Sequence, residues 1–214
     1  METEIIANLK KAVLEYDPEG AARWARKAVE ENVDPLRALD WLIEAIRQVG
    51  DSFAREECWL PELVGAADAL ERAMPIIEEK IREMGTKRQT VGTVVIGSVY
   101  QDIHNIGKSM VSSLLTADGF EIHDLGISVK TEKFVEAVKE YDADILAMSA
   151  LLTTTAPEGK KVIDLLKEAG IREKVKVMIG GGAITEEFAR DIGADGYDPT
   201  APGAVRLARS LLGK

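Results

Sequence analysis

The period of the hydrophobic pattern changes near residue 90, and this change restricts the fold more than any other feature of the chain. Over residues 1–85, apolar side chains recur every three or four positions, as in helices that bury one face. From Val91 onward, short β-branched runs alternate with helical stretches. The sequence therefore predicts a helical domain over residues 1–85, an α/β domain over residues 91–214 and a polar hinge over residues 86–90 between them.

Helix-start signals divide the first 85 residues into four segments. Asp17 and Asp34 each precede a proline, and this pair joins an N-cap residue to one that suits the first helical turn. The last segment begins near Pro61, repeats apolar residues in steps of four and three, and ends at Gly85. Because such spacing buries one face along the whole helix, we predict a four-helix bundle.

Five strand–helix units follow in the second domain. The first strand contains the apolar run from Val94 to Ile96, and the fifth is expected near Gly196. Helices between consecutive strands favour parallel pairing, so we predict a Rossmann-like (flavodoxin-like) five-stranded parallel sheet with helices on both faces. Ligands of such sheets bind at the carboxyl ends of the strands, which directs the search for a site to that edge.

The composition disfavours several classes of partner. The formal net charge of −10 disfavours nucleic acid, which needs clustered Lys and Arg to bind its phosphates. No apolar run approaches the roughly 20 residues of a membrane span, so we expect no membrane partner. The N-terminus lacks the apolar core of a signal peptide, and Cys58 is the single cysteine. We therefore expect a cytoplasmic protein without an intramolecular disulfide.

Unusual residues cluster at the expected carboxyl edge of the sheet. Asp102, His104 and Gly107 follow the first strand in the pattern D-x-H-x-x-G. Ser149 follows the third strand, and three glycines over residues 180–182 follow the fourth. A carboxylate two residues before a histidine can accept one ring N–H and leave the other nitrogen free to bind a metal. The edge therefore contains a candidate metal ligand with its supporting group.

This histidine does not suit zinc, which takes three or four protein ligands. Near His104 the sequence offers no second imidazole or thiolate, and the only other histidine, His123, is expected to pack or to face solvent. A single imidazole beside a glycine-lined crevice suits a metal whose other ligands arrive with a macrocycle. The pattern therefore indicates a prosthetic group.

Each of these residues also has a structural explanation. A histidine in a loop is commonly solvated, Asp102 could cap the next helix, and Gly107 could allow close packing of helix on strand. The glycines over residues 180–182 could form a turn, while Ser149 and the threonines over residues 153–155 could be helix caps. The residues by themselves leave these alternatives open.

Three segments of the chain resemble the signature of cobalamin-binding domains. They are Asp102-Ile103-His104-Asn105-Ile106-Gly107, then Ser149-Ala150-Leu151, and then Gly180-Gly181. The segment WLPELVGAADAL, from Trp59 to Leu70, is similar to the helical cap domain of methionine synthase and of small corrinoid proteins of methyltransferase systems. The resemblance extends over the whole chain and implies a helical cap domain followed by a cobalamin-binding domain.

The resemblance implies that the cofactor is cobalamin, in its methylcobalamin form when loaded, with His104 as the lower ligand of the cobalt. His104 would replace the cofactor's own benzimidazole in this position. Thr155 takes the position of the hydroxyl that joins the aspartate and histidine of the family in a relay, here Asp102 and His104. These three residues are the candidate catalytic residues.

The resemblance also implies a channel for the displaced nucleotide tail of the cofactor. Ser149 would line this channel, and Gly180 and Gly181 would allow the tail to approach the main chain. We expect a valine at Gly181 to block the tail and to leave the fold intact. The other residues placed at the cofactor are Ile103, Asn105, Ile106, Gly107, Leu151, Thr153 and Gly182, with Leu63 of the cap as the contact for the methyl group.

The function implied by the resemblance is that of a methyl carrier without a complete reaction of its own. A substrate-specific methyltransferase would load a methyl group onto the cobalt. A second methyltransferase would pass it to tetrahydrofolate or to a thiol such as coenzyme M, and a reductive activase would restore the cobalt. The methyl donor stays open among methanol, a methylamine, a betaine and an aryl methyl ether, and the oligomeric state stays open as well.

Two other functions use related domains. A cobalamin-binding sensor regulates transcription or responds to light, but such proteins normally carry a basic DNA-binding module, and nothing basic enough occurs here. The cobalamin subunit of an adenosylcobalamin-dependent mutase shares D-x-H-x-x-G but has no use for a helical cap. The form of the bound cofactor discriminates them, because methyl- or hydroxocobalamin favours the carrier and adenosylcobalamin favours the alternatives.

Overall fold

The computed structural model of the chain describes residues 2–84 and 90–214. The chain divides into two compact units, Met1–Gln89 and Thr90–Lys214. The predicted helix end at Gly85 and nearly all of the predicted hinge lie outside the described residues. The domain boundaries at residues 85 and 91 therefore stay predictions.

The described part of the first unit consists of helices joined by short turns. They are α1 (Glu2–Leu14), α2 (Pro18–Glu30), α3 (Pro35–Ala54) and α4 (Leu60–Glu83). The side chain of Asp17 accepts a hydrogen bond from the Gly20 amide, and that of Asp34 accepts one from the Leu36 amide. Both predicted caps are therefore present, and the apolar stripes of the helices are buried within the unit.

The second unit alternates strands with helices. In chain order they are β1 (Thr93–Ser98), α5 (Ile106–Ala117), β2 (Glu121–Asp124), α6 (Thr131–Glu140), β3 (Ile145–Ser149), α7 (Pro157–Glu168), β4 (Lys176–Gly180), α8 (Glu186–Ile192) and α9 (Ala201–Leu211). The strands pair in parallel in the order β2-β1-β3-β4. The predicted open, doubly wound α/β sheet is confirmed. In the described ranges, no helix is both long and apolar enough to cross a bilayer.

The predicted fifth strand is wrong, because the described sheet has four strands. The segment near Gly196 makes only an isolated bridge to Met178. Just before Gly196, the Asp195 carboxylate accepts a hydrogen bond from the Val177 amide at 2.6 Å. A fifth strand would need this amide of β4 as a donor to its own main chain. After Gly196, Pro199 has no N–H with which to extend a ladder. The segment therefore touches the sheet edge without running along it.

The two faces of the sheet follow the strict alternation of strand side chains. Val94, Ile145 and Met178 face a core that includes residues of α5 and α9. The intervening strand residues, such as Val95 and Leu146, face a core that includes residues of α6 and α7. At the carboxyl ends, the small residues Ser98, Ser149 and Gly180 lie side by side in register, on the same face as Val94, Ile145 and Met178. This row of small residues leaves room for a cavity.

Candidate functional site

Asp102 is the hydrogen-bonding centre of the loop between β1 and α5. Its side chain is buried, with 1% exposed. Oδ1 accepts a hydrogen bond from the His104 amide at 3.1 Å and lies 2.8 Å from the ring nitrogen Nδ1 of the same residue. Oδ2 accepts bonds from the Leu151 amide at 2.8 Å and from the Thr155 hydroxyl at 2.6 Å. One carboxylate therefore ties the histidine loop to the loop after β3.

These bonds decide the protonation of the site. Burial raises the pKa of Asp102, but the hydrogen bonds from Thr155, Leu151 and His104 outweigh it and lower the pKa from 3.8 to about 2. The carboxylate is therefore ionised at neutral pH and can only accept hydrogen bonds, so Nδ1 of His104 carries a proton. In the neutral ring, Nε2 then has a free lone pair. Because the His104 side chain is 45% exposed, this nitrogen is available to a metal.

We expect the Asp102 carboxylate to stabilise the fold at neutral pH and to lose this effect in acid. Its folded-state pKa lies below its ordinary value, so the folded protein takes up the proton less readily than the unfolded chain. The stabilisation is on the order of 2 kcal/mol above about pH 4 and disappears as the pH falls toward about 2.

Urea unfolding of the cofactor-free chain, compared with Asp102→Asn, measures this effect. The amide does not titrate, so the difference in unfolding free energy between the two proteins should shrink as the pH falls from about 4 to about 2. A difference that stays constant over that range contradicts the stabilising role of the carboxylate.

A cavity of about 270 Å³ lies beside the row of small residues at the carboxyl ends. Its walls include Gly107 at the start of α5, Ser149 at the end of β3 and the glycines over residues 180–182. The Ser149 hydroxyl makes no hydrogen bond with any residue in the described ranges, so it is available to a ligand. A side chain at Gly107 would meet no described atom within 4 Å. Glycines and Ser149 therefore line one part of the cavity, and larger side chains such as Met110, Met178 and Tyr197 line the rest.

The three glycines at the end of β4, over residues 180–182, occupy different surroundings. Gly181 has a φ of +117°, and a Cβ there would lie 2.2 Å from the Ala150 carbonyl oxygen. The expectation that a valine at Gly181 leaves the fold intact is therefore wrong, because the side chain would displace the backbone after β3. At Gly180, the nearest described atom to an added Cβ is the Asp198 carbonyl oxygen at 3.8 Å, an ordinary contact. Gly180 can therefore accept a side chain, and that side chain would narrow the cavity.

Most of the predicted site residues lie at the carboxyl edge of the sheet in the second unit. Ile103 and Ile106 flank His104 with more than half of each side chain exposed, and Leu151 is also partly exposed. Asn105, next to His104, is exposed and does not cap α5 with its side chain. The hydroxyl of Thr153 is exposed and bonds to no described residue. Leu63 lies in α4 of the first unit, where it is fully buried.

Two residues at this edge lack any signal in the sequence. Lys108 is almost fully buried, lines the cavity and forms an ion pair with Asp124 at the end of β2. Lysine is ordinarily exposed, and nothing local marks this one as buried. Ser98 donates its hydroxyl to the His104 carbonyl oxygen at 2.8 Å. Both contacts depend on the packing of the sheet, which sequence patterns do not show.

The second histidine lies outside the site, as predicted. The His123 ring stacks on Tyr141 with the ring centroids 3.6 Å apart, and its Nε2 lies 3.2 Å from Glu121. Within the described part of the chain, no three His, Cys, Asp or Glu side chains group closely enough to hold a metal ion. His104 therefore stands as a single candidate ligand.

Two family models match the chain, and both are described as a B12 binding domain. One matches residues 92–206, which form most of the second unit. The other matches residues 5–78, which form most of the first unit. Each unit therefore has its own match.

Curated relatives match over nearly the whole length of the chain. Trimethylamine corrinoid protein 1 of Methanosarcina acetivorans is 39% identical over 210 residues, covering 98% of this chain and 97% of the relative. Dimethylamine corrinoid protein 2 of the same organism is 40% identical over 210 residues, covering 98% of this chain and 96% of the relative.

Solved structures match over both units as well. A chain of the methanol:cobalamin methyltransferase complex MtaBC from Methanosarcina barkeri has a TM-score of 0.80 and 30% identity, covering 99% of this chain and 81% of that chain. The monomethylamine corrinoid protein of Methanosarcina barkeri has a TM-score of 0.55 and 28% identity, covering 99% of this chain and 100% of that protein.

Proposed function

We propose that this chain, which belongs to the B12-binding domain family, is a corrinoid protein that carries a methyl group on cobalt between two methyltransferases. The observation that carries the proposal is the group formed by Asp102, His104 and Thr155, at the same edge of the sheet as a cavity whose lining includes Gly180 and Ser149. The match to methylamine corrinoid proteins over both units supports it. The chain acts as the carrier component of a larger system, and we place that system in the cytoplasm.

The residues at the carboxyl edge fit a corrinoid cofactor. His104 offers one nitrogen, which suits a metal whose equatorial ligands come with its ring. Ile103 and Ile106, which flank His104 in the sequence, expose apolar surface, as a flat apolar macrocycle requires. The cavity at Ser149 and Gly180 would accept the nucleotide tail, since a Cβ at Gly180 would occupy space that is open in this structure. Donor chemistry and cavity shape therefore agree.

When bound, the corrinoid would supply a cobalt that accepts and releases the methyl group. His104 would hold the metal through Nε2, and the contact of its Nδ1 with Asp102 orients the ring. Thr155 donates to the other oxygen of Asp102, which holds the carboxylate in place and keeps it ionised. These three residues would therefore present one nitrogen to the metal in a fixed orientation.

The partner that loads the methyl group is a substrate-specific methyltransferase, and we propose a methylamine as the first donor class to test. The curated relatives described above are named for trimethylamine and dimethylamine. A second methyltransferase would pass the methyl group to tetrahydrofolate or to a thiol such as coenzyme M. A reductive activase would complete the set of partners.

We also propose that the helical unit acts as a cap that shields the methyl group. α4 contains small residues, such as Ala66 and Ala67, next to Leu63. Small side chains allow a flat ring to come close, and Leu63 is the proposed contact for the methyl group. Leu63 is fully buried in this structure, so its side chain would have to become accessible to make this contact.

A reconstituted transfer assay tests the carrier function. The full chain, loaded with cobalamin and reduced, should gain a methyl group only when a methylamine-specific methyltransferase and its donor are both present. Mass spectrometry and the absorption spectrum of the corrinoid report the gain. Methanol, betaine and aryl methyl ether, each with its own methyltransferase, are the matched controls for donor class.

The form of the cofactor that copurifies with the chain provides a second check. Methyl- or hydroxocobalamin agrees with a carrier. Copurification of adenosylcobalamin, together with no methylation by any methyltransferase tested, contradicts the carrier function.

A further inference from the structure

Ser98 supports the main chain of His104 from the last position of β1. Its side chain is fully buried, and its hydroxyl donates to the His104 carbonyl oxygen at 2.8 Å. Its own backbone is fixed on both sides, because its amide donates to the Gly126 carbonyl oxygen and its carbonyl oxygen accepts from the Val129 amide, each at 3.0 Å. Ser98 therefore joins the histidine loop to the rigid end of the sheet and to the connection between β2 and α6.

Comparison with Ser149 shows that the Ser98 hydroxyl has a different use. The two serines are direct partners in the register of β1 and β3. The Ser149 residue lines the cavity, and its hydroxyl makes no hydrogen bond with any residue that the structure describes. Ser98 is not among the residues that line the cavity, and its hydroxyl is bonded to the loop. The Ser149 hydroxyl is therefore available to a ligand, whereas the Ser98 hydroxyl stabilises the histidine loop.

The loop itself has a backbone shape that requires support. Gln101 and Ser128 have φ values of 64° and 49°, in the left-handed region that non-glycine residues seldom occupy. The Gln101 amide donates to the Ser128 hydroxyl at 3.1 Å, and the Ser128 amide donates to the Asp102 carbonyl oxygen at 2.8 Å. Such conformations persist where the surrounding bonds determine them. Besides the carboxylate of Asp102, serine hydroxyls and main-chain groups therefore stabilise the loop that contains His104.

We propose that Ser98 is a positioning residue for the metal-ligating His104, and that its hydroxyl sets how firmly this histidine is held as a ligand. The inference rests on the proposed corrinoid function. Asp102 orients the ring of His104, whereas Ser98 fixes the backbone from which the ring extends. Without the Ser98 hydroxyl, the contact between the ring and Asp102 would stay, but the main chain at His104 would vary more in position. The imidazole would then bind the metal more weakly.

Competition with imidazole tests this proposal in the full chain labelled with ¹⁵N-histidine, loaded with cobalamin and reduced to cobalt(II). The electron paramagnetic resonance signal splits into two lines when the ¹⁵N of His104 is bound, and into three when the ¹⁴N of added imidazole or of the cofactor's own benzimidazole takes its place. The bond of Ser98 to His104 is an ordinary hydrogen bond, so in Ser98→Ala half-displacement should need about fivefold less imidazole than in the wild type. Ser128→Ala should shift it in the same direction, by a smaller factor.

Ser113→Ala is the matched control. Ser113 is also buried in the second unit, and its hydroxyl donates to a main-chain carbonyl, that of Ser109, at 2.8 Å. This variant loses the same kind of bond away from the histidine loop, so half-displacement of His104 should need as much imidazole as in the wild type. If Ser98→Ala matches Ser113→Ala, the positioning role of Ser98 is wrong. If the wild type itself shows no ¹⁵N splitting from histidine, the corrinoid function is wrong instead.

Discussion

We expect His104→Ala to remove the axial nitrogen from a bound corrinoid and to lower the affinity for the cofactor by at least about 100-fold. Loss of a residue that only supports a metal ligand already costs about 10- to 100-fold, and loss of the ligand itself should cost more. The fold should survive, because the His104 side chain is 45% exposed and lies in a loop. The absorption spectrum and retention of cobalamin on gel filtration measure the effect.

His123→Ala is the matched control for this experiment. It removes the other histidine of the chain, whose ring stacks on Tyr141 outside the site. The control should keep the spectrum and the affinity of the wild type. An unchanged spectrum and affinity in His104→Ala would show that the Asp102–His104 pair has a structural use only and would contradict the corrinoid function.

Contacts between residues close in sequence were predictable, because the geometry of a short segment is set by its own residues. The caps of Asp17 and Asp34 follow from an aspartate placed before a proline, and the structure confirms both. The contact of Asp102 with His104 follows from their spacing of two residues, and it is present at 2.8 Å. In each case the chain needs no distant partner to form the contact.

Contacts between residues distant in sequence could not be predicted from the local residue pattern alone. The bond of Thr155 to Asp102 joins residues 53 positions apart, and only the resemblance to the cobalamin-binding family pointed to it. The bond of Ser98 to His104 depends on where β1 ends in the register of the sheet, and no local rule states this. The fifth strand was wrongly predicted because the segment near Gly196 makes only an isolated bridge to Met178, and the Asp195 carboxylate takes the Val177 amide that a paired strand would use.

The glycines at the end of β4 show that a glycine can be needed either by the backbone conformation or by an open cavity. Gly181 is needed by the fold, since its φ of +117° and its closeness to the Ala150 backbone leave no room for a side chain. Gly180 has ordinary space around it, so the fold does not explain the missing side chain there. A run of three identical residues in a sequence cannot separate these cases. The structure therefore moves the test of the tail channel from Gly181 to Gly180.

We expect Gly180→Val to lower the affinity for intact cobalamin by about 100-fold while the protein stays folded, because the added side chain would fill space that the tail needs. An added Cβ makes an ordinary contact at 3.8 Å, and valine suits a strand, so thermal unfolding should change little. The added methyl groups would occupy part of the cavity of about 270 Å³ that we assign to the nucleotide tail. Gly181→Val, by contrast, should unfold at a lower temperature.

Cobinamide, the corrinoid without a nucleotide tail, separates a blocked channel from a damaged site. It should bind Gly180→Val as tightly as it binds the wild type, because it needs His104 and the apolar surface around it but not the cavity. Isothermal titration with cobalamin and with cobinamide gives both affinities for both proteins. Equal loss for the two corrinoids would place the damage at the ring, and full affinity of Gly180→Val for cobalamin would show that the tail does not enter this cavity.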